Sequence, residues 1–179
     1  QGYGVEPDLK RAAGLYEAAH RGNYPPATCM LGLCYELGRG VDEDKARAVA
    51  LYRQAAEQGD ARSQCNLGYC YYRGIGVDED NDKAAEWFAK SAHQGHPRAI
   101  SLLGECYDLG YGVKKDEKKA AELYRSAHEL GYAPATCSLA LCYEMGAGVE
   151  QDKVQAAKLY RQAAEQGDAR AQCCLGYFY

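Results

Sequence analysis

Nine cysteines and four histidines are the residues of this chain best equipped for chemistry, as thiolate nucleophiles, disulfide partners or metal ligands. Their spacing points to another duty. Cys29, Cys65, Cys137 and Cys173 share one column at multiples of 36 residues, with Ser101 in the gap, and Cys34, Cys70, Cys106 and Cys142 share a second. Cysteines five apart on one helix point about 140° away from each other. Equivalents on stacked helices lie about 8–10 Å apart, beyond the roughly 4.4–6.8 Å that a disulfide allows between Cα atoms. Neither relation permits a bond, and a pairing between columns stays open. The columns read as small apolar groups filling a helix seam.

The other constellations are incomplete. His93-x-x-His96 offers zinc two imidazoles but no third ligand, and Gly95 breaks the helix between them. His20, His93, His96 and His128 all fall near the expected ends of one helix type, where the dipole and solvent favour a cation. Asp78, Asp80 and Asp82 mimic the first three ligands of a calcium loop, but Lys83 replaces the glycine and Ala89 the closing glutamate. The recurrent Gly-x-Gly lacks its third glycine, replaced by Glu43, Glu79, Lys115 or Gln151, and no strand precedes it. We expect no catalytic residue, no metal and no cofactor.

What positions these residues is a repeat. The 179 residues are 47% apolar and 26% charged with a net charge of −4, which suits a folded domain and not a disordered tail. No apolar run approaches the roughly 18 residues of a membrane span. The basic run Lys114-Lys115 to Lys118-Lys119 is broken by Asp116 and Glu117, so nucleic acid is a poor partner. Cysteine at this density favours reduced thiols and a reducing compartment, although the start of the chain leaves export open. Rows of 36 residues align as 27–62, 63–98, 99–134 and 135–170, with partial rows 1–26 and 171–179, in a single domain over 1–179. Leu31, Leu67, Leu103, Leu139 and Leu175 form one column; Tyr35, Tyr71, Tyr107, Tyr143 and Tyr179 a second; Val5, Val41, Val77, Val113 and Val149 a third. Leu51–Cys65 recurs as Leu159–Cys173 with one change, Ser63 against Ala171.

Each row encodes two helices. Leu67 and Tyr71 stand four apart on helix A, with Gly68 as a gap where another backbone can approach. Ala48, Leu51, Tyr52, Ala55 and Ala56 trace the apolar stripe of helix B. The Gly-x-Gly-Val loop between them allows positive φ and ends at a capping aspartate such as Asp80, while Gly59, Gly95, Gly131 and Gly167 stop helix B. A lone hairpin cannot bury its second face, so the expected fold is all-α: a right-handed α-solenoid of stacked helix-turn-helix repeats. The pattern LGxCY, GxGV, D, KAAxxY and AAEQG resembles the Sel-one-like repeat (SLR) family, a relative of the tetratricopeptide repeat, over residues 1 to 179. The resemblance implies adaptor and scaffold roles. It also implies a cysteine-rich bacterial branch, disulfide-bridged and penicillin-binding or β-lactamase-like, from which this chain departs. The branch's cysteine positions hold Ala56 and Gln64, and no Ser-x-x-Lys occurs at Ser63, Ser91, Ser101, Ser126 or Ser138.

Columns that vary between similar rows are freed from self-packing and locate a partner. On helix A these are Leu33, Tyr69, Glu105, Leu141 and Tyr177; Glu36, Tyr72, Asp108 and Glu144; and Leu37, Arg73, Leu109 and Met145. By resemblance to tetratricopeptide arrays they line the concave groove, with Cys29, Cys65 and Cys137 along its floor. An apolar, aromatic and acidic groove suits a peptide or partner protein carrying basic residues. The expected function is a protein-binding scaffold. The alternatives are a structural array stacking head to tail through open repeat ends and a β-lactamase-like hydrolase. The unfinished partial rows read as a fragment of a longer array or as those open ends.

Overall fold

Aspartate recurs just before helix B because a helix start needs an acceptor. In the computed structural model, which describes residues 8–177, Asp8, Asp44, Asp80, Asp116 and Asp152 each accept the backbone N–H three residues on, at 2.9–3.0 Å. Asp60 and Asp168 do the same for helix A, at 2.7 and 2.8 Å. Each such cap contributes about 1 kcal/mol. The helices they open alternate as the row pattern requires. Helix B recurs as α1 (Leu9–Arg21), α3 (Lys45–Glu57), α5 (Asn81–His93), α7 (Glu117–Glu129) and α9 (Lys153–Glu165). Helix A recurs as α2 (Pro25–Leu37), α4 (Ala61–Arg73), α6 (Pro97–Leu109), α8 (Ala133–Met145) and α10 (Ala169–Gly176). The described residues contain no strand. The column members Val5 and Tyr179 lie outside them.

The two glycines of each loop have different duties. Gly74 closes α4 in the left-handed region at φ 62°, donating its N–H to the Cys70 carbonyl. Gly76, also at positive φ, lies flat against the Lys45 carbonyl at the start of the preceding helix B, where any Cβ would collide with main chain. Gly40 meets Leu9 and Gly148 meets Glu117 in the same way. The loop therefore fixes the distance between one repeat and the next.

The described residues fall into two compact units, divided between Ser91 and Ala92. In the first, α1 packs on α2, α2 on α3 and α3 on α4; in the second, consecutive helices from α6 to α10 do the same. The fold is thus an all-α series of helix pairs, each helix A also touching the next within its unit: α2 with α4, α6 with α8, α8 with α10. The helix B stripe makes the core. Ala48, Leu51, Tyr52, Ala55 and Ala56 are all buried, as are Ala156, Leu159, Tyr160 and Ala163 in the second unit.

Within a hairpin the contact is an aromatic ring of helix B pressed on the glycine of helix A. A Cβ on Gly32 would fall 2.7 Å from a Tyr52 ring carbon, and one on Gly68 2.7 Å from Phe88. Burying such a ring contributes about 2–3 kcal/mol. Ala140 holds this place opposite Tyr160 in the fourth hairpin, fully buried.

One expectation needs correction. His96 does not end a helix B; it is the N-cap of α6, its Nδ1 accepting the Ala99 N–H at 3.4 Å. Pro97 beside it supplies the first helical residue, so position, not charge, sets its role. His20 and His128 do lie in the last turns of α1 and α7, where each Nδ1 meets a threonine hydroxyl, Thr28 at 3.0 Å and Thr136 at 2.9 Å. That His–Thr pairing was not legible in either column alone.

Candidate functional site

The varied helix A column at 36, 72, 108 and 144 faces its own helix B. Tyr52 donates its hydroxyl to Glu36 Oε2 at 2.6 Å, and Tyr160 donates to Glu144 Oε2 at 2.7 Å. Where helix A carries Tyr72 instead, helix B carries Phe88, and the two rings meet edge to face at 6.4 Å. The variation at this column is therefore compensated inside the hairpin, and variation alone did not mark it as free of packing. Comparing columns 36 and 52 row by row was the signal that sequence reasoning missed.

The second unit brings together five of the twelve expected site residues. Glu105, Asp108, Leu109, Leu141 and Met145 line one cleft of about 620 Å³ between α6, α7 and α8, with Leu102 and Glu117 beside them and Arg170 at its rim. Leu109 is 48% exposed, Leu141 49% and Met145 68%, so three large apolar side chains meet solvent beside three carboxylates. Glu144 is turned away to Tyr160. The cysteine on the cleft wall is Cys142; Cys137, expected on the floor, is buried in the core beneath. Helical phase decides this: Cys142 is one residue past Leu141 and three before Met145, on the same turn as the cleft's apolar residues.

In the first unit, Leu33 is half-buried and Leu37 and Arg73 are exposed. The rings of Tyr69 and Tyr72 meet tilted by 48° with centroids 6.4 Å apart, and Cys29 and Cys65 are buried. The tyrosine column has a partner that spacing did not reveal. Arg47 lies over the Tyr35 ring at 4.2 Å, Lys83 over Tyr71 at 5.4 Å and Lys119 over Tyr107 at 4.1 Å, a cation on helix B repeating with the same period.

Seven of the cysteines are buried, Cys173 is exposed and Cys174 is half-buried. Burial pushes the Cys106 and Cys137 thiols up to about 12 and Cys142 to about 11, and holds Cys29 and Cys34 above the ordinary value. A thiol in that state is a poor nucleophile. Under native conditions an aromatic disulfide reagent should titrate Cys173 first and Cys174 more slowly, with the remaining thiols reacting only in denaturant. Rapid native labelling of Cys106 or Cys142, read by peptide mapping, would refute the assigned burial.

The repeat matches a known family model. The Sel1 repeat model covers residues 1–23, 25–60, 61–96, 97–132 and 133–168. The chain belongs to the Sel1 repeat family. Its fold is similar to that of a Sel1 repeat protein from Oxalobacter formigenes, at 36% identity and TM-score 0.90, over 98% of this chain and 72% of that one. It is likewise similar to c5321, a protective antigen of uropathogenic Escherichia coli with an SLR fold, at 39% identity and TM-score 0.84; this chain is covered to 98% and spans 38% of that protein. The immunity protein PA5088 from Pseudomonas aeruginosa is 25% identical with TM-score 0.67, covering 94% of this chain and 62% of that one. Among curated proteins none matches. Sel1 repeat proteins commonly mediate protein–protein interaction, and their fold is generally a non-catalytic scaffold. No described helix is long and apolar enough to cross a membrane.

Proposed function

We propose that this Sel1 repeat chain is a non-enzymatic scaffold that seats a segment of a partner protein in the cleft between α6, α7 and α8. The observation that carries the reading is the convergence there of exposed Leu109, Leu141 and Met145 with Glu105, Asp108 and Glu117. An apolar surface rimmed by carboxylates suits a segment presenting aliphatic and basic side chains. Leu33, Leu37, Glu36, Tyr69, Tyr72 and Arg73 are assigned to a partner-facing surface of the first unit on the same reasoning, with Glu36 shared with Tyr52. Neighbours described as a protective antigen and an immunity protein are in keeping with a surface made for other proteins.

The test uses a partner recovered with the full-length protein and measured by calorimetry. Leu141→Asp and Leu109→Asp should each weaken binding by about 2 kcal/mol, because a charge replaces an apolar anchor, while the circular dichroism spectrum stays unchanged. Val154→Asp, at an exposed position of α9 outside the cleft, should bind as the parent does. Parent-like affinity in both leucine variants overturns the assignment.

A further inference from the structure

The pairing between cysteine columns that spacing leaves open has a place to occur in the second unit. The duplicated stretch Leu51–Cys65 and Leu159–Cys173 is followed by Asn66 in its first copy and by Cys174 in its second. In the first unit this position reaches the preceding helix A, where Asn66 Nδ2 on α4 lies 3.7 Å from Cys29 Sγ on α2. Ser63 lies beside the same sulfur. The matching thiol of the second unit is Cys137 on α8, and α10 offers it Ala171 in place of Ser63 and Cys174 in place of Asn66. One copy surrounds its buried thiol with an amide and a hydroxyl; the other supplies a methyl and a second thiol.

The packing keeps the two thiols close. α10 touches α8 directly, Cys137 belongs to the core of this unit, and Cys174 packs against that core. Cys174 acts electrostatically on Cys137, and both act on the Tyr160 hydroxyl between them and α9. Cys137 is 5% exposed, whereas Cys174 is half-buried, as Met30, Asn66, Leu102 and Ser138 of its column are. Access of Cys174 to small solutes is therefore a property of the column. Cys173 points about 100° away from Cys174 on the same helix and cannot replace Cys137 as its partner.

We propose that Cys174 and Cys137 are a peroxide-oxidisable pair that closes a disulfide between α10 and α8, a covalent staple across successive helices A. Cys174 reacts first, because of the two it is the one that meets solvent. Its sulfur attacks one oxygen of a hydroperoxide: the S–O bond forms, the O–O bond breaks, and an alcohol or water leaves behind the sulfenic acid. Cys137 then attacks the Cys174 sulfur: the S–S bond forms, the S–O bond breaks, and water departs with the Cys137 proton. Two thiols lose two electrons and two protons, and the peroxide gains both. Cys137 never has to meet the oxidant, and its fixed position beside Cys174 offsets the weak nucleophilicity of a buried thiol.

The test treats the reduced, full-length chain with hydrogen peroxide, alkylates the remaining thiols in denaturant and maps the peptides without reduction. A Cys137–Cys174 linked peptide should form in the parent and in Cys173→Ser, and a dithiol should reverse it. Closing that loop should raise the thermal midpoint of the oxidised chain by about 10 °C over the reduced one. Cys174→Asn, which installs the residue of the first unit, should fold as the parent does and show the same midpoint before and after peroxide. Cys137→Ala should leave Cys174 to proceed to the sulfinic acid. Cys174 that stays a thiol, that reaches the sulfinic acid in the parent while Cys137 is still reduced, or that joins Cys173 or a second chain instead, overturns the pair.

Discussion

Gly76→Ala should unfold the protein at a midpoint about 10 °C below the parent, and Gly74→Ala, two residues away, by only a few degrees. Both glycines sit at positive φ, 62° for Gly74 and 68° for Gly76, so both alanines incur the left-handed penalty of about 1 kcal/mol. Their surroundings then separate them. A Cβ at Gly74 meets its nearest neighbour, the Val77 carbonyl, at 3.6 Å, an ordinary contact. At Gly76 it would overlap the Lys45 carbonyl and come within 2.6 Å of its carbon, and main chain at a helix start cannot step aside. The repeat must shift away from its neighbour, adding about 2 kcal/mol or more. At this chain length, about 3 kcal/mol corresponds to about 10 °C. Thermal melts of the two variants check it, and equal midpoints would show that the loop does not set the spacing between repeats.

Raising the pH should be nearly as costly. The folded thiols of Cys106, Cys137 and Cys142 hold their protons up to about 12, 12 and 11 because burial disfavours the thiolate, whereas an unfolded thiol ionises near 9. Raised folded values mean that the stabilisation is complete below about pH 8.5 and lost as pH climbs from about 9 towards 12. Each thiol contributes about 1 kcal/mol per pH unit after allowance for partial hydration, so the three together contribute about 3. The hydroxyls of Tyr52, Tyr124 and Tyr160, also raised by burial, steepen the loss above pH 10. Urea midpoints measured from pH 8 to pH 11 should fall steadily from pH 9. A flat profile would mean that these thiols reach water in the folded state.

Much of this architecture could be read from the chain itself, because self-packing repeats its demands every 36 residues. Leucine and cysteine columns, the aspartate caps and the glycine stops each answer one local requirement, so each shows in a single column. What stayed hidden were requirements shared between columns. Glu36 looks variable until Tyr52 is set beside it, and Tyr72 until Phe88 is. The cation over Tyr35, Tyr71 and Tyr107 changes from arginine to lysine down its column, which hides a constant role behind a changing letter. His96 misled because its place in the row suggested the end of one helix, whereas the chain turns within three residues and it begins the next. In the cleft, Leu109, Leu141 and Met145 were found because their columns vary between similar rows. Tyr124 was missed because an aromatic on the helix B stripe reads as core, although it also lines the cleft.

The matched pairs at 36 with 52, 72 with 88 and 144 with 160 work as keys cut for one lock each. A genetic crossover through the short turn between α3 and α4 carries both halves of each of these keys along, so arrays can lengthen or shorten there with the pairs intact. A crossover through the glycine loop would set Glu36 opposite Phe88 and strand a carboxylate against a ring that has nothing to give it. The heritable module of this chain is therefore the hairpin opened by helix A, and recombination elsewhere in the row should be purged.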